Sequence, residues 1–334
     1  MLNRTLVFVW AFMILLAGCQ QKELIEKIPP ASITNTPEEV QITTSDIDLF
    51  WEMYDKEIPL FTEMELNEQY VNAGTSALSF FYAKKIKSTE VYTNLLNSWI
   101  DRQYYEDVRE NTLQIYPHKD KILDAFKAFQ KLYPPAVFTD VTLVMGALNT
   151  GGVILPNRQI VIATEIFAKE PDTDTEYLSP WLQSVLRSPD YLPVIAVHEL
   201  VHLQQQRFAE KHNLPLGGRT LLDRALLEGG ADFITHLVMN KFLNDQLLSY
   251  ANPREEQLWT QFSKTMNKNN LGKWLYNGSA ATTQPADLGY YIGFKIAQKY
   301  YNTAPDKKQA IKNIIEIKNG EKFLKESGYA DSFK

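Results

Sequence analysis

His198-Glu199-Leu200-Val201-His202, set in the apolar run from Val194 to Leu203, constrains this 334-residue chain more than any other feature. On a helix, positions i and i+4 share one face, so both imidazoles can address a single metal ion. Glu199 lies one position on, rotated roughly 100°, where its carboxylate can reach a metal-bound water rather than the metal. Two neutral nitrogen ligands, an open coordination position and an adjacent carboxylate base are what metal-assisted amide hydrolysis requires. Pro193 suits a first helical turn, and glutamine and charge follow from Gln204 to Lys211. The pattern predicts a buried helix that emerges into solvent at its C-terminal end. A core helix with two hydrogen-bonded histidines would share this pattern, so a second element has to decide.

That element is Glu228-Gly229-Gly230-Ala231-Asp232, inside a helical periodicity running from Thr220 to Leu243. Glu228 and Asp232 again stand at i and i+4. Glu228 is the candidate third zinc ligand. Asp232 is placed to accept the free ring N–H of a ligand histidine, which fixes its tautomer. Each glycine costs a helix interior about 1 kcal/mol relative to alanine. A solvated acidic face would not need them; a second helix crossing closely would, and Ala231 continues the small surface.

His198-Glu199-x-x-His202 followed by Glu228-x-x-x-Asp232 resembles the gluzincin arrangement, where the downstream glutamate is a ligand and the aspartate supports a histidine. The chain also carries Leu132-Tyr133-Pro134, the hairpin-like run from Gly146 to Gly152, Gln204-Gln205-Gln206 and Gly289-Tyr290-Tyr291-Ile292-Gly293. Over about residues 45 to 305 it is similar to a family of predicted zinc-dependent proteases related to gliding-motility lipoproteins of the Bacteroidetes. The resemblance implies an α+β, predominantly α-helical fold with a zincin-like metalloprotease core, a small β-sheet preceding the motif helix, and one Zn²⁺ per chain.

The amino terminus indicates where such a protein works. Arg4, an apolar run from Leu6, and Leu16-Ala17-Gly18-Cys19 form a lipoprotein signal peptide over residues 1–18, with Cys19 as the lipidation site. Cys19 is the sole cysteine, so no intrachain disulfide competes for it. The 13 apolar residues from Leu6 to Gly18 fall short of the about 20 that a spanning helix needs. Gln20 after the cysteine resembles the outer-membrane sorting pattern of Gram-negative lipoproteins. Residues 19–44, rich in Gln, Glu, Pro and Thr, read as a flexible tether with an end-to-end distance on the order of 25–30 Å. The domain would then occupy 45–334, with a helical half (45–133) and a sheet and metal-site half (134–334).

A net charge of −6 and pI near 5.5 argue against nucleic acid. No phosphate-cradling loop or Gly-x-Ser-x-Gly elbow is present. Helical patterns cover about 45–54, 75–86, 89–100 and 119–132. Val137 to Met145 and Gln159 to Phe167 are β-branched and predict a small sheet. Its edge could receive an extended peptide, or the hairpin could be purely structural. The acidic stretch 170–190 reads as a surface loop. Among the other histidines, His212 reads as exposed; His236 could border the site but suits a hydrogen-bonded structural role better. Hydrolysis also needs an oxyanion donor; Tyr290 is the candidate, with Tyr291 still open.

Together these expectations describe a membrane-anchored zinc metallopeptidase acting on a peptide or protein substrate, with Glu199 as general base. The alternative is a non-catalytic lipoprotein scaffold of a cell-envelope or gliding-motility machine with a structural or vestigial metal. An intact Glu199 argues for the first.

Overall fold

Two β-branched runs sit at the centre of the fold. The computed structural model describes residues 31–56, 60–86, 89–281 and 283–334. Its strands are β1 (Ile33–Thr34), β2 (Ile42–Thr43), β3 (Phe138–Thr139), β4 (Val141–Val144), β5 (Gly152–Ile154) and β6 (Ile160–Ala163). β4 and β6 are buried at every position, as suits parallel strands covered on both faces. The four-stranded sheet has the order β2-β4-β6-β5. β2, β4 and β6 are parallel, with Val141 opposite Ile160; β5 returns antiparallel on the far side of β6. β1 and β3 form a separate antiparallel pair. Helices make up most of the remainder, so the chain is α+β and predominantly helical.

Two expectations need correction. The segment from 31 to 44 is not tether: it contributes β1, which pairs with β3, and β2, which pairs with β4 on the side away from β6. Two-residue strands among prolines leave almost no periodicity to read. The signal peptide, Cys19 and tether residues 20–30 lie outside the described residues. The second correction concerns the hairpin. β4 and β6 are parallel, so Gly146 to Gly152 belongs to a crossover, and the hairpin joins β5 to β6 instead. The β6 run also stops at Ala163, with Thr164–Phe167 continuing as a 3₁₀ turn.

Ser45–Lys56 packs against β4, Ser76–Phe81 against β4 and β6, and the motif helix Leu192–Lys211 against β5 and β6. Ile47, Phe50, Trp51 and Tyr54 are buried, as their spacing predicts. Pro117–Leu132 packs against the motif helix. Buried Gln204 fastens that helix to the start of the sheet, accepting from Val137 N at 3.0 Å and donating to Val137 O at 2.8 Å. Gln205 is buried too, so the helix emerges into solvent later than expected. Among the described residues no helix is long and apolar enough to cross a membrane.

The helical half also positions the crossover that leads into β5. The Tyr70 hydroxyl donates to Met145 O at 2.8 Å and accepts from Met145 N at 2.9 Å. Tyr105 donates to Gly146 O at 2.6 Å. Fully buried Glu165 accepts from Gly146 N at 2.8 Å and Leu148 N at 3.1 Å. Burial pushes the Glu165 carboxyl up to about 7, against the opposing pull of those N–H donors. The folded state therefore holds a proton that the unfolded chain has released between its ordinary 4.5 and about 7. This stabilisation is full below the lower value and is lost as pH rises through the upper one, a change of roughly 3 kcal/mol. Glu165→Gln mimics the protonated acid and should remove that part of the pH dependence. Denaturant titrations below and above this window, on both proteins, check it; an unchanged slope in the variant would contradict the assignment.

Candidate metal centre

The motif helix opens with Pro193 in its first turn and carries His198, Glu199 and His202. The second helix, Leu221–Met239, starts at a capping box in which Thr220 and Asp223 satisfy each other's backbone N–H. Its last helical residue, Met239, lies four residues before the end of the predicted periodicity, and Asn240 caps it in the left-handed conformation (φ 50°). The third, Leu288–Thr303, crosses the second at Gly229 and Gly293. A Cβ on Gly293 would sit 1.7 Å from Ala225 O, and one on Gly229 would sit 2.2 Å from Phe294 N. The close crossing predicted from these glycines is therefore present at Gly229. Gly230 is different: a Cβ there would meet nothing nearer than Ile314 Cγ2 at 3.5 Å.

This packing brings His198, His202 and Glu228 together, one donor atom from each within 4.8 Å of the others. His202 Nε2 lies 3.0 Å from His198 Nε2 and 3.1 Å from Glu228 Oε2. His198 Nε2 lies 3.7 Å from the same carboxylate oxygen. A tetrahedral ion with bonds of 2.0–2.1 Å sets its donors about 3.3 Å apart, so the set fits zinc. All three side chains are buried or nearly so.

The outer nitrogens are held as well. His198 Nδ1 stands 2.8 Å from Asp232 Oδ1, an ion-pair distance without aligned hydrogen-bond geometry. His202 Nδ1 stands 2.6 Å from Gln205 Oε1, and Gln205 Nε2 donates to Leu227 O at 3.0 Å, tying the two helices together. Tyr276 donates to Glu228 Oε1 at 2.5 Å. It does so from a loop residue with φ 57°, a conformation that costs a non-glycine residue of order 1–3 kcal/mol and is retained where it serves a site. Sequence reasoning missed Gln205 and Tyr276. The φ of Tyr276 has no sequence signature, while Gln205 at i+3 from His202 could have been noticed.

Burial disfavours charge on all three candidate ligands, but their proximity reverses the result. Asp232 and Glu228 hold His198 well above its usual value, and Glu228 raises His202. The two histidines hold the Glu228 carboxyl well below the ordinary range. Asp232→Asn should weaken zinc affinity about 10–100-fold with the fold intact. Zinc titration in a competing chelator measures this, and unchanged affinity would remove Asp232 from the centre.

Beside the three ligands lies a cleft of about 240 Å³ lined by Glu199, His198, Asp232, Asp287, Tyr290 and Gly152, among others. The segment Thr150–Gly152, which leads into the edge strand β5, contributes to its lining. Gly152 packs closely on the base: a Cβ there would lie 3.0 Å from both Cγ and Oε1 of Glu199, so that side chain would have to give by a few tenths of an ångström. Tyr290 stacks near His198, with ring centroids 6.5 Å apart. Burial and the Glu228 charge keep its hydroxyl protonated and able to donate. Tyr291 points elsewhere, its hydroxyl 3.2 Å from Asn252 Oδ1 and from Glu255 Oε2. Arg187, within the stretch read as a surface loop, lines the cleft and donates to the Leu243 and Leu186 carbonyls. His236 stacks on Phe242, with centroids 4.1 Å apart, and its Nδ1 has no hydrogen-bond partner. The hydrogen-bonded role expected for it is therefore replaced by aromatic packing, away from the ligands. His212 is exposed, as expected.

The model of a protein family described as Gliding motility protein GldB matches residues 29–331 of the chain. No curated protein and no solved structure matches. The match supports the gliding-motility half of the sequence resemblance and the lipoprotein reading, and says nothing of zinc proteolysis.

Proposed function

This chain belongs to the family of gliding motility protein GldB lipoproteins, and from that premise we propose that it is a lipid-anchored component of a gliding-motility machine built around a zinc centre. The anchor is Cys19, and the compartment is the cell envelope, at the outer membrane of a Gram-negative cell. The partners are other proteins of that machine. The observation that carries the reading is the convergence of His198, His202 and Glu228 in a chain matched to this family over nearly its whole length.

A second reading, peptide hydrolysis at the same centre, is favoured by one further observation. Glu199 is not among the three converging donors and lines a cleft that Gly152, the first residue of the edge strand β5, also lines. A purely structural zinc usually has four protein ligands and needs no base. When bound, the ion would polarise a carbonyl and acidify a water. Glu199 would take a proton from the attacking water and return it to the departing amine. Asp232 and Gln205 would hold the imidazoles in register. Tyr290 would donate its O–H to the developing oxyanion, and β5 would align an extended peptide through main-chain hydrogen bonds.

The two readings separate in a deletion strain complemented with single variants. His202→Ala should fail to restore motility under either reading, because the centre is lost. Glu199→Gln should restore it if the site is structural and should fail if the site is hydrolytic. Full restoration by His202→Ala would refute the proposed centre.

A further inference from the structure

Arg158, Arg207, Lys211, Lys312 and Lys318 line a depression of about 760 Å³ at the C-terminal end of the motif helix. Its five cations outnumber its two carboxylates; Glu316, bonded only to a neutral hydroxyl, keeps its charge. Glu210 pairs with Arg158 at 2.6 Å, and Glu316 accepts the Tyr133 hydroxyl at 2.8 Å. Among the described residues, no carboxylate pairs with Arg207, Lys211, Lys312 or Lys318; Lys318 caps the Phe208 ring instead, 5.7 Å from its centroid. A concave face of unpaired cations on a chain of net charge −6 repels itself in the free protein and offers an anion a focused positive field.

The position of this face indicates the anion. The described chain begins beside it: Ala31 N donates to Asn157 O at 3.1 Å, next to Arg158. Cys19 lies 12 residues before Ala31, a stretch that spans at most about 40 Å even when fully extended. A lipid on Cys19 therefore keeps this face close to the bilayer that carries it. We propose that the basic depression docks on the anionic headgroup phosphates of that bilayer and fixes the orientation of the domain. The inference rests on the lipoprotein reading of Cys19 and is independent of zinc and of catalysis. His198 stands 13 residues before Lys211 on the same helix, about 20 Å along its axis. Docking through the far end would thus hold the cleft away from the headgroups, open to a partner or an extended peptide.

The test uses the mature lipidated protein on vesicles of phosphatidylglycerol and phosphatidylcholine. Its one cysteine carries the lipid, so His212→Cys in the depression and Gln246→Cys beside the cleft each accept a single fluorescent label. With a headgroup-region quencher lipid present, the label at 212 should be quenched at least about threefold more than that at 246. Arg207→Glu with Lys312→Glu, or about 0.5 M salt, should abolish the difference while the protein still floats with the vesicles. Equal quenching at both positions, or a preference that survives salt or persists on neutral vesicles, would overturn the docking. Absence of selective quenching combined with loss of motility in the charge-reversal strain would also overturn it, in favour of an acidic protein partner. A protein that fails to float refutes the anchor and, with it, the orientation.

Discussion

Gly229→Ala should destabilise the protein by about 3 kcal/mol or more, whereas Gly230→Ala, one residue along the same helix, should be neutral or gain up to about 1 kcal/mol. The contrast follows from what each new Cβ meets. At Gly229 it would lie 2.2 Å from Phe294 N, 2.4 Å from Gly293 C and 2.4 Å from Tyr290 O. These are all backbone atoms, so no rotamer change relieves the overlap and the two helices must part. Parting them loosens the contact of Phe233 with Phe294 and shifts Glu228, the neighbouring residue, relative to the histidines. At Gly230 the nearest atom is 3.5 Å away, an ordinary contact, and alanine is the better helix former. Denaturant titration of both variants reads the difference directly. Equal effects would mean that the crossing geometry is wrong.

Glu199→Gln should lower any turnover by at least about 10²-fold, the low end of what a positioned base contributes. Zinc content and melting temperature should hardly change. Glutamine keeps the size and polarity of the side chain beside Gly152 but cannot take the water's proton. Because Glu199 is not among the three converging donors, metal binding should be insensitive to the change. The comparison requires a peptide that wild type cleaves and a chelator protects. If no such peptide emerges from a broad library while the variant restores motility in full, the centre is structural.

The metal motif was legible because its chemistry and its helical period coincide. His198 and His202, like Glu228 and Asp232, stand at i and i+4, so each pair shares one helix face, and the packing of the two helices brings those faces together. Gly229 was legible for a related reason, being costly in a helix without a crossing partner, whereas Gly230 carries the same cost with no neighbour that requires it. Contributions arriving from irregular segments left no such trace. Tyr276 reaches Glu228 from a loop in a left-handed conformation, and Arg187 enters the cleft from a stretch whose composition reads as solvent-facing. The helix Trp99–Leu113 was missed beyond its first two residues because its charges outnumber the buried Tyr104, Tyr105 and Val108. β1 and β2 were read as tether because averaging over a proline-rich window hides two-residue strands. Their pairing is dictated by β3 and β4, about a hundred residues away in sequence.

The central claim is that His198, His202 and Glu228 form a zinc centre, and metal analysis of the mature protein tests it most directly. Wild type should carry about one zinc per chain, and His202→Ala and Glu228→Ala should each lose it while remaining folded by circular dichroism. Removing the ion from wild type with a chelator should lower its melting temperature, and adding zinc back should restore it, because an ion bound only by the folded state stabilises that state. Folded, metal-free wild type that takes up no zinc on titration would contradict the account.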